Sequence, residues 1–174
     1  MHLVMSEAGA QVMREELGVE VDLEDGAGVI RGLVGRAAPG FRYEDNRDIG
    51  AGIASGSYRV DAMVVIPCTA GTLGGIASGI SRNLIERAAE VMLKERRNLI
   101  LVVRETPMSA VLLENMLKLA HAGACLLPAM PGFYHLPKSV ADLVDFVVGK
   151  VLTQMGLDHS LIRRKVSPVK RGGH

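Results

Sequence analysis

Two polar stretches of the chain carry residue types that bind anions, and each follows a run of apolar residues. Thr69–Thr72 reads Thr-Ala-Gly-Thr and follows the run Ala62–Pro67. Its hydroxyl groups, its glycine and the N–H groups of a helix predicted after it suit a phosphate group or the polar edge of a ring system. Arg104 and Glu105 follow the run Leu99–Val103. Charges beside a buried strand cost free energy unless they have a purpose, so this pair also indicates a binding site.

Each of these stretches also has a purely structural explanation. Thr69 could be an ordinary helix cap, and Arg104 and Glu105 could form a structural ion pair. Tyr134 and His135 follow a Pro-Gly turn, and a surface loop alone explains them. No group of His, Cys and Asp residues has the spacing of a metal site. Nothing beyond the presence of the residue types supports a Ser-His-Asp triad.

The placement of these stretches depends on an alternation of strands and helices. Short apolar runs rich in β-branched residues predict strands covered on both faces, and longer segments rich in Ala, Leu, Glu, Lys and Arg predict helices. The predicted strands are His2–Met5, Phe41–Tyr43, Ala62–Pro67, Leu99–Val103 and Ala124–Leu127. The predicted helices, caps included, are Glu7–Leu17, Asn83–Arg96, Ser109–Ala120 and Ser139–Met155. This order indicates an α/β fold with a parallel sheet and helices on both faces.

In a sheet of this kind, ligands bind beyond the carboxyl ends of the strands. Ser6 follows the first such end, and Thr69, Arg104 and the segment Pro128–His135 follow the later ones. Thr69–Gly79 is predicted to be a loop that passes into a helix. Asp22–Gly40 is rich in glycine and weakly patterned, and is predicted to hold one short helix and then a loop. Asp45–Ser57 is predicted to be a long loop.

The composition of the 174 residues fits one globular domain and excludes other classes of protein. Apolar residues make up 48% of the chain and charged residues 22%, which is typical of a folded domain. The net charge of +1 gives no electrostatic reason for a nucleic-acid partner or an anionic membrane. No apolar run approaches the roughly 18 residues of a membrane span.

Cysteine use and hydropathy bear on the compartment and on assembly. Cys68 and Cys125 lie in apolar runs and are interpreted as reduced core thiols of a cytoplasmic protein. The mean hydropathy of +0.23 is high for a soluble protein. We therefore expect the chain to bury surface against copies of itself.

Seven stretches, two of which contain the polar segments described above, occur in a fixed order along the chain. Such an ordered series identifies a family more specifically than any single glycine-rich loop does. They are Pro67–Leu73, Asn83–Ala89, Lys94–Arg97, Val103–Pro107, Leu113–Leu117, Pro131–Pro137 and Asp142–Lys150. In this order they resemble the flavin prenyltransferases, the UbiX-like family. Met1–Ser6 also resembles that family's second strand and the serine that follows it.

The resemblance implies a role for individual residues. The positions that match FMN-contacting residues of the family are Ser6, Thr69, Ala70, Gly71, Thr72 and Arg104. Tyr134 and Lys150 match positions that hold the phosphate of dimethylallyl phosphate. Lys94 and Glu105 match further phosphate-site and catalytic positions, and Glu16 matches an acidic residue tied to proton handling. No metal ion is implied.

The resemblance also implies a reaction and partners. The family joins a dimethylallyl group to N5 and then to C6 of reduced FMN, and inorganic phosphate leaves. The prenylated FMN goes to a UbiD-type decarboxylase, either in ubiquinone biosynthesis or in aromatic-acid decarboxylation. The family's large dodecameric shells fit the high apolar content of this chain, so a homo-oligomer, as a dodecamer, is expected.

The implied fold is a Rossmann-like, flavodoxin-like parallel sheet. Residues 1–156 are predicted to form one flavoprotein-type α/β domain, and residues 157–174 a basic C-terminal tail. Family members carry a first strand, a Gly-Ala-Ser-Gly-type turn and a helix before the strand that ends at Ser6. Because Met1 falls inside that second strand, the resemblance predicts that the first β–α unit and its flavin-phosphate turn are missing here.

Two other classes of protein fit parts of the same pattern. An FMN-dependent cysteine decarboxylase of a related family also resembles the region Thr69–Leu84, although that family prefers an asparagine where this chain has Ala70–Thr72. A non-catalytic flavin-binding or assembly subunit is the second alternative, because the phosphate-binding turn is not found in the sequence.

Overall fold

Strands and helices alternate along the described chain, which comprises residues 1–35 and 38–162 of a computed structural model. The strands are β1 (His2–Met5), β2 (Arg42–Asp45), β3 (Ala62–Cys68), β4 (Asn98–Val103) and β5 (Cys125–Leu126). The α-helices are α1 (Glu7–Leu17), α2 (Gly26–Val34), α3 (Ala70–Ala77), α4 (Leu84–Lys94), α5 (Ala110–His121) and α6 (Val140–Gln154). None of the helices in the described ranges is long and apolar enough to cross a membrane.

The strands form two parallel sheets. β1 pairs with β2 in one sheet, and β4 lies between β3 and β5 in the other. Within residues 1–35 and 38–162, no strand pairs with the second edge of β1 or with the second edge of β3. The predicted parallel α/β fold is confirmed, but its hydrogen-bonded strands lie in two sheets where the sequence predicted one.

β4 forms the centre of the apolar core. Leu99, Leu101 and Val103 point to one face, where they pack in a cluster with residues of α3, α4 and α5. Ile100 and Val102 point to the other face and pack with residues of α6. Each of these five side chains is at most 1% exposed. Because successive side chains of a strand alternate between faces, this burial requires helices on both sides of the sheet, as predicted.

Side-chain caps fix the start of five helices. The side chains of Ser6, Thr69, Asn83, Ser109 and Ser139 each accept the backbone N–H three residues further on. A side-chain oxygen at this position satisfies one of the N–H groups that the first helical turn leaves free. The predicted caps at Ser109 and Ser139 are confirmed.

The start of α3 differs from the sequence prediction. Thr69–Gly79 contains far less loop than predicted, because the cap at Thr69 lets α3 begin at Ala70. In Asp22–Gly40, the predicted short helix is α2, whose start at Gly26 has no side-chain cap hydrogen bond. The basic part of the predicted tail, from residue 163 onwards, lies outside the described residues.

Polar contacts join the β1–β2 sheet to the rest of the chain. The backbone and side-chain carbonyl oxygens of Asn46 accept the N–H groups of Leu84 and Ile85 at 2.8 and 3.2 Å. Asn46 directly follows β2, so these bonds hold the start of α4 against the end of that strand. The His2 ring on β1 hydrogen-bonds the Tyr58 hydroxyl group at 2.8 Å, and the Arg97 guanidinium donates to the carbonyl oxygen of Tyr58 at 2.7 Å.

A buried carboxylate organises the turn between α3 and α4. Glu86 is 1% exposed and accepts three hydrogen bonds from Arg82, at 2.6, 2.9 and 3.2 Å. A Cβ atom at Gly75 would approach a Glu86 carboxylate oxygen to 2.3 Å, so only glycine lets α3 pass this close. Burial alone would raise the pKa of Glu86, but the hydrogen bonds and charge of Arg82 outweigh it and leave the pKa below its usual value.

We predict that Glu86→Gln lowers the free energy of unfolding by about 1–3 kcal/mol at neutral pH, since a buried amide replaces the paired carboxylate. The lowered pKa means that the ionised form stabilises the fold above the pKa of the unfolded state. This stabilisation is lost as pH falls through the lower folded pKa. Urea unfolding of both proteins from pH 7 to pH 3 should therefore show midpoints that converge in acid.

The exposed carboxylate Glu114 on α5 provides the matched control. Glu114→Gln should leave the urea midpoint unchanged across the same pH range. A constant gap between wild type and Glu86→Gln from pH 7 to pH 3 would contradict the assigned role of the Glu86 charge.

Candidate functional site

The carboxyl ends of β3 and β4 bring two of the predicted site segments side by side. Cys68 pairs with Val103 in the parallel register, so Thr69 and Arg104 occupy the next positions on strands about 4.8 Å apart. Ala129 donates its N–H to the carbonyl oxygen of Val103 at 2.8 Å, which brings the chain after β5 to the same edge. The rule that placed ligands beyond the strand ends therefore predicted this juxtaposition correctly.

Thr69–Thr72 forms the capped first turn of α3. The Thr69 hydroxyl accepts the Thr72 N–H at 3.3 Å and donates to the Thr72 hydroxyl at 3.2 Å. Ala70 and Gly71 lie in the first turn, where backbone N–H groups have no partner within the helix. A Cβ atom at Gly71 would meet nothing within 4 Å, so open space adjoins this turn. The turn thus offers N–H donors and room for a polar or anionic group.

Arg104 and Glu105 lie exposed at the end of β4. Neither side chain forms an ion pair with any residue in the described ranges. A Glu105 carboxylate oxygen accepts the Thr106 N–H at 3.3 Å. The structural ion pair considered from the sequence is therefore not formed, and the Arg104 guanidinium keeps its donors for a ligand.

Tyr134 and Lys150 meet at a buried aromatic side chain. The Tyr134 ring centroid lies 5.6 Å from that of Phe146, and the Lys150 Nζ atom lies 5.5 Å from it. Both Tyr134 and Lys150 are exposed, whereas Phe146 is buried. The long loop after β5 thus returns to α6 and brings together the two residues predicted to hold a phosphate group.

Ser6 lies at the carboxyl end of β1 and lines a cavity of about 280 Å³ together with Asn46 and Arg47. Its hydroxyl accepts the Gly9 N–H at 3.0 Å. Hydrogen bonds from the side chain and the backbone N–H of Arg47 hold the pKa of Asp45 below its usual value. Because Arg47 also donates to Glu24, two carboxylates already neutralise the cation beside this cavity.

Two predicted catalytic residues lie away from the strand ends. Glu16 lies near the end of α1, about 15 Å along the helix axis from Ser6. Lys94 is the last residue of α4, about 15 Å along that helix from Leu84, which is bonded to the end of β2. Both side chains are exposed. One chain alone therefore does not gather all the predicted site residues into one pocket.

The residues that connect the site to the fold were not identified from the sequence. Phe146 lies one helical turn before Lys150, a spacing that places both side chains on one face of α6. That spacing was the available signal, but it does not reveal the contact with Tyr134. Within the described ranges, no group of three or more His, Cys, Asp or Glu side chains could hold a metal ion.

The comparisons with known proteins agree on one family. The sequence pattern of the Flavoprotein family matches residues 1–152. The flavin prenyltransferase UbiX of Halalkalibacterium halodurans is 53% identical over 163 residues, which are 94% of this chain and 78% of that protein.

Solved structures give the same result. The structure of AnUbiX in complex with FMN and dimethylallyl pyrophosphate is 40% identical, with a TM-score of 0.82 over 94% of this chain and 80% of that one. A dodecameric FMN-dependent UbiX-like decarboxylase from Escherichia coli O157:H7 is 42% identical, also with a TM-score of 0.82, over 94% and 82% of the chains.

The fold and the strand-end site define a flavoprotein of the Rossmann-like α/β class. More specifically, the chain belongs to the flavin prenyltransferase family, the UbiX-like transferases. The FMN-dependent cysteine decarboxylase TvaF is 15% identical, with a TM-score of 0.53, and so shares the fold alone. The resemblance inferred from the sequence is confirmed at the level of the family.

Cys68 immediately precedes the site, and its environment makes the thiol unreactive. Cys68 is fully buried, and burial raises the pKa of its thiol to about 12. We predict that the Cys125→Ser variant, with Cys68 as its only cysteine, reacts with Ellman's reagent at pH 8 at least about a hundredfold more slowly than a free thiol. Unfolding in urea should restore fast reaction.

The Cys68→Ser variant, which leaves the half-buried Cys125, is the comparison. It should react faster in the folded state than Cys125→Ser does. Fast labelling of Cys68 in the folded protein would contradict its assignment as an inert core thiol.

Proposed function

We propose that this protein transfers a dimethylallyl group from dimethylallyl phosphate to N5 and then to C6 of reduced FMN, without a metal ion. The product, prenylated FMN, would serve a UbiD-type decarboxylase. The observation that carries the proposal is the adjacency of Thr69 and Arg104 at the ends of β3 and β4. When bound, reduced FMN supplies the two atoms that accept the prenyl group.

The flavin-binding part of the proposal rests on donors at this edge. The N–H groups of Ala70 and Gly71 and the open space beside Gly71 fit the polar edge of a flavin. Arg104 adds a planar group with several N–H donors. Ser6, at the neighbouring strand end, is the further proposed FMN contact.

The phosphate-binding part rests on Tyr134, Lys150 and Lys94. A departing phosphate needs hydrogen-bond donors and positive charge, and charge-assisted donors stabilise it most strongly. Tyr134 can donate its hydroxyl group while Lys150 and Lys94 supply charge. The exposed Lys150 ammonium lies over the Phe146 ring and forms no ion pair with a described residue, which supports its role as a free cation.

Glu105 and Glu16 are the proposed proton-transfer residues. Bond formation at C6 requires loss of a ring proton, and a positioned carboxylate is a suitable base. Glu105 lies next to Arg104 at the strand end. Glu16 lies far along α1, so it can act only where the far end of that helix reaches a bound flavin.

We further propose that copies of the chain complete each other's sites in a homo-oligomer, as a dodecamer. Large apolar side chains are exposed on α5, on α6 and on the loop before α6, including Val111, Leu117, Phe133, Leu136 and Val140. Exposed patches of this kind mark interaction surfaces. The similarity to a dodecameric UbiX-like structure supports the same arrangement. In a site formed by two copies, predicted site residues that lie far apart within one chain would come from different chains and lie close together.

The proposed activity is tested by incubating the protein anaerobically with reduced FMN and either dimethylallyl phosphate or dimethylallyl pyrophosphate. Mass spectrometry of the flavin should show the addition of one prenyl unit. We expect Glu16→Gln to lower the rate by about 10²–10⁴-fold, since it removes a proton-transfer group. The neighbouring Glu15→Gln is the control and should leave the rate unchanged.

The alternatives give different results in the same assay. A cysteine decarboxylase would leave the flavin mass unchanged and release CO₂ from a peptidyl cysteine. A non-catalytic subunit would bind FMN and do neither. If Glu16→Gln kept full activity, Glu16 would have no role in proton transfer.

The shared site is tested by co-expressing two variants, Arg104→Ala and Lys150→Ala. Each variant is expected to be inactive on its own. If each site takes Arg104 from one copy and Lys150 from another, random assembly restores about a quarter of the wild-type sites. If both residues act within one chain, no mixed site is intact and the activity stays at the level of the single variants. The rate of prenyl addition per chain is the measurement.

A further inference from the structure

Phe146 lies at the centre of a small cluster of rings and charge. Its ring stacks on that of His135 with centroids 5.2 Å apart and an interplanar angle of 10°. The Tyr134 ring meets it edge to face at 5.6 Å and 80°, and the Lys150 Nζ atom lies 5.5 Å from the Phe146 centroid. These are the distances of favourable aromatic and cation–π contacts.

The neighbours of Phe146 set it apart from the rest of the core. Although it is 8% exposed, it belongs to none of the three apolar clusters of the described chain, including those that pack on β4. Its ring packs against Gly132, Tyr134 and His135 of the loop between β5 and α6. A phenylalanine that served only to fill the core would pack among the aliphatic side chains that cover the sheet.

The polar ends of Tyr134 and Lys150 have no hydrogen-bonding partner among the described residues. Among the hydrogen bonds and ion pairs of the described residues, none involves the Tyr134 hydroxyl or the Lys150 ammonium group. Tyr134 is 58% exposed. Their orientation therefore depends on packing contacts, and Phe146 is the ring that both of them touch. Tyr134 also meets the His135 ring edge to face at 5.9 Å.

Gly132 contacts the rings of both Tyr134 and Phe146. A Cβ atom there would lie 2.8 Å from Cε1 of Tyr134 and 3.2 Å from Cζ of Phe146. Both rings thus lie directly against the Gly132 backbone. This contact and the edge-to-face contact leave the Tyr134 ring little freedom to rotate away from Phe146.

We propose that Phe146 is a positioning residue, which sets the Tyr134 hydroxyl and the Lys150 ammonium group for one phosphate group of the prenyl donor. The proposal rests on the proposed function of Tyr134 and Lys150. Its physical basis is pre-organisation: two long side chains that are already oriented lose less conformational freedom on binding. His135, stacked on Phe146, holds the ring plane in place.

The test compares two variants of α6. Phe146→Leu keeps an apolar side chain but removes the ring, and Val151→Ala is the matched control, since Val151 is also buried on α6 but packs against β4. Loss of the edge-to-face and cation–π contacts should raise the KM for dimethylallyl phosphate about five- to tenfold. The kcat and the KM for reduced FMN should stay near wild type. Val151→Ala should leave all three unchanged.

A second measurement needs no turnover. The chain has three tyrosines, so 3-fluorotyrosine labelling gives three ¹⁹F resonances, and Tyr134→Phe identifies that of Tyr134. Titration with inorganic phosphate should shift this resonance in the wild type and in Val151→Ala. In Phe146→Leu the resonance should lie closer to that of free fluorotyrosine, with phosphate affinity reduced by a factor similar to the change in KM.

The two proposals fail in different ways. If the wild type does not prenylate FMN, the proposed function is wrong, and the phosphate titration alone decides the role of Phe146. Unchanged phosphate affinity and an unchanged Tyr134 resonance in Phe146→Leu would overturn the positioning role. Equal losses in Phe146→Leu and Val151→Ala would overturn it too, because they would show a general effect of disturbing α6.

Discussion

The burial of β4 on both faces is the constraint on which the rest of the structure depends. The five apolar side chains Leu99–Val103 need helices on each face to cover them, and the chain supplies these helices and a strand on each edge. Ala62–Val65 pair in register with Asn98–Leu101, and after an irregularity of one residue in β3 Cys68 pairs with Val103. A slip of one residue would exchange the two buried faces, so the positions of Thr69 and Arg104 relative to each other are set by the packing of the core. The buried core around β4 therefore determines the geometry of the candidate site.

Much of this could be predicted from the sequence because the signals are local. β1 and α1 were bounded correctly, since a short apolar run, a serine cap and Gly18 mark their ends. The adjacency of Thr69 and Arg104 followed from a general rule on parallel sheets. In contrast, α2 has no side-chain cap hydrogen bond to mark its start, and its sequence is rich in glycine. Its bounds therefore came only from the structure.

The parts that the sequence did not predict depend on contacts between distant residues. The hydrogen bonds that α4 donates to Asn46 join segments that are far apart in the chain, as does the pairing of β1 with β2. The cluster around Phe146 forms between a loop and the helix after it, through side-chain contacts that no local pattern marks. Motifs identify which residues belong to a family site, but they do not say where one chain places them. The separation of Glu16 and Lys94 from the strand ends shows this most clearly. The family assignment rests on similarity, whereas the adjacency of Thr69 and Arg104 and the grouping of Tyr134 with Lys150 come from the structure.

The contacts that join the β1–β2 sheet to the rest of the chain have a further consequence. They include the hydrogen bonds that Leu84 and Ile85 donate to Asn46, the hydrogen bond between the His2 ring and the Tyr58 hydroxyl group, and a small apolar cluster with Val4. The core around β4 is far larger. Segments held by few contacts open as separate cooperative units at lower free energy than the whole fold. Amide hydrogens of β1 and β2 should therefore exchange with solvent through sub-global opening, whereas those of β4 exchange only through global unfolding. Ser6 belongs to the half that opens first, and Thr69 and Arg104 to the half that stays closed.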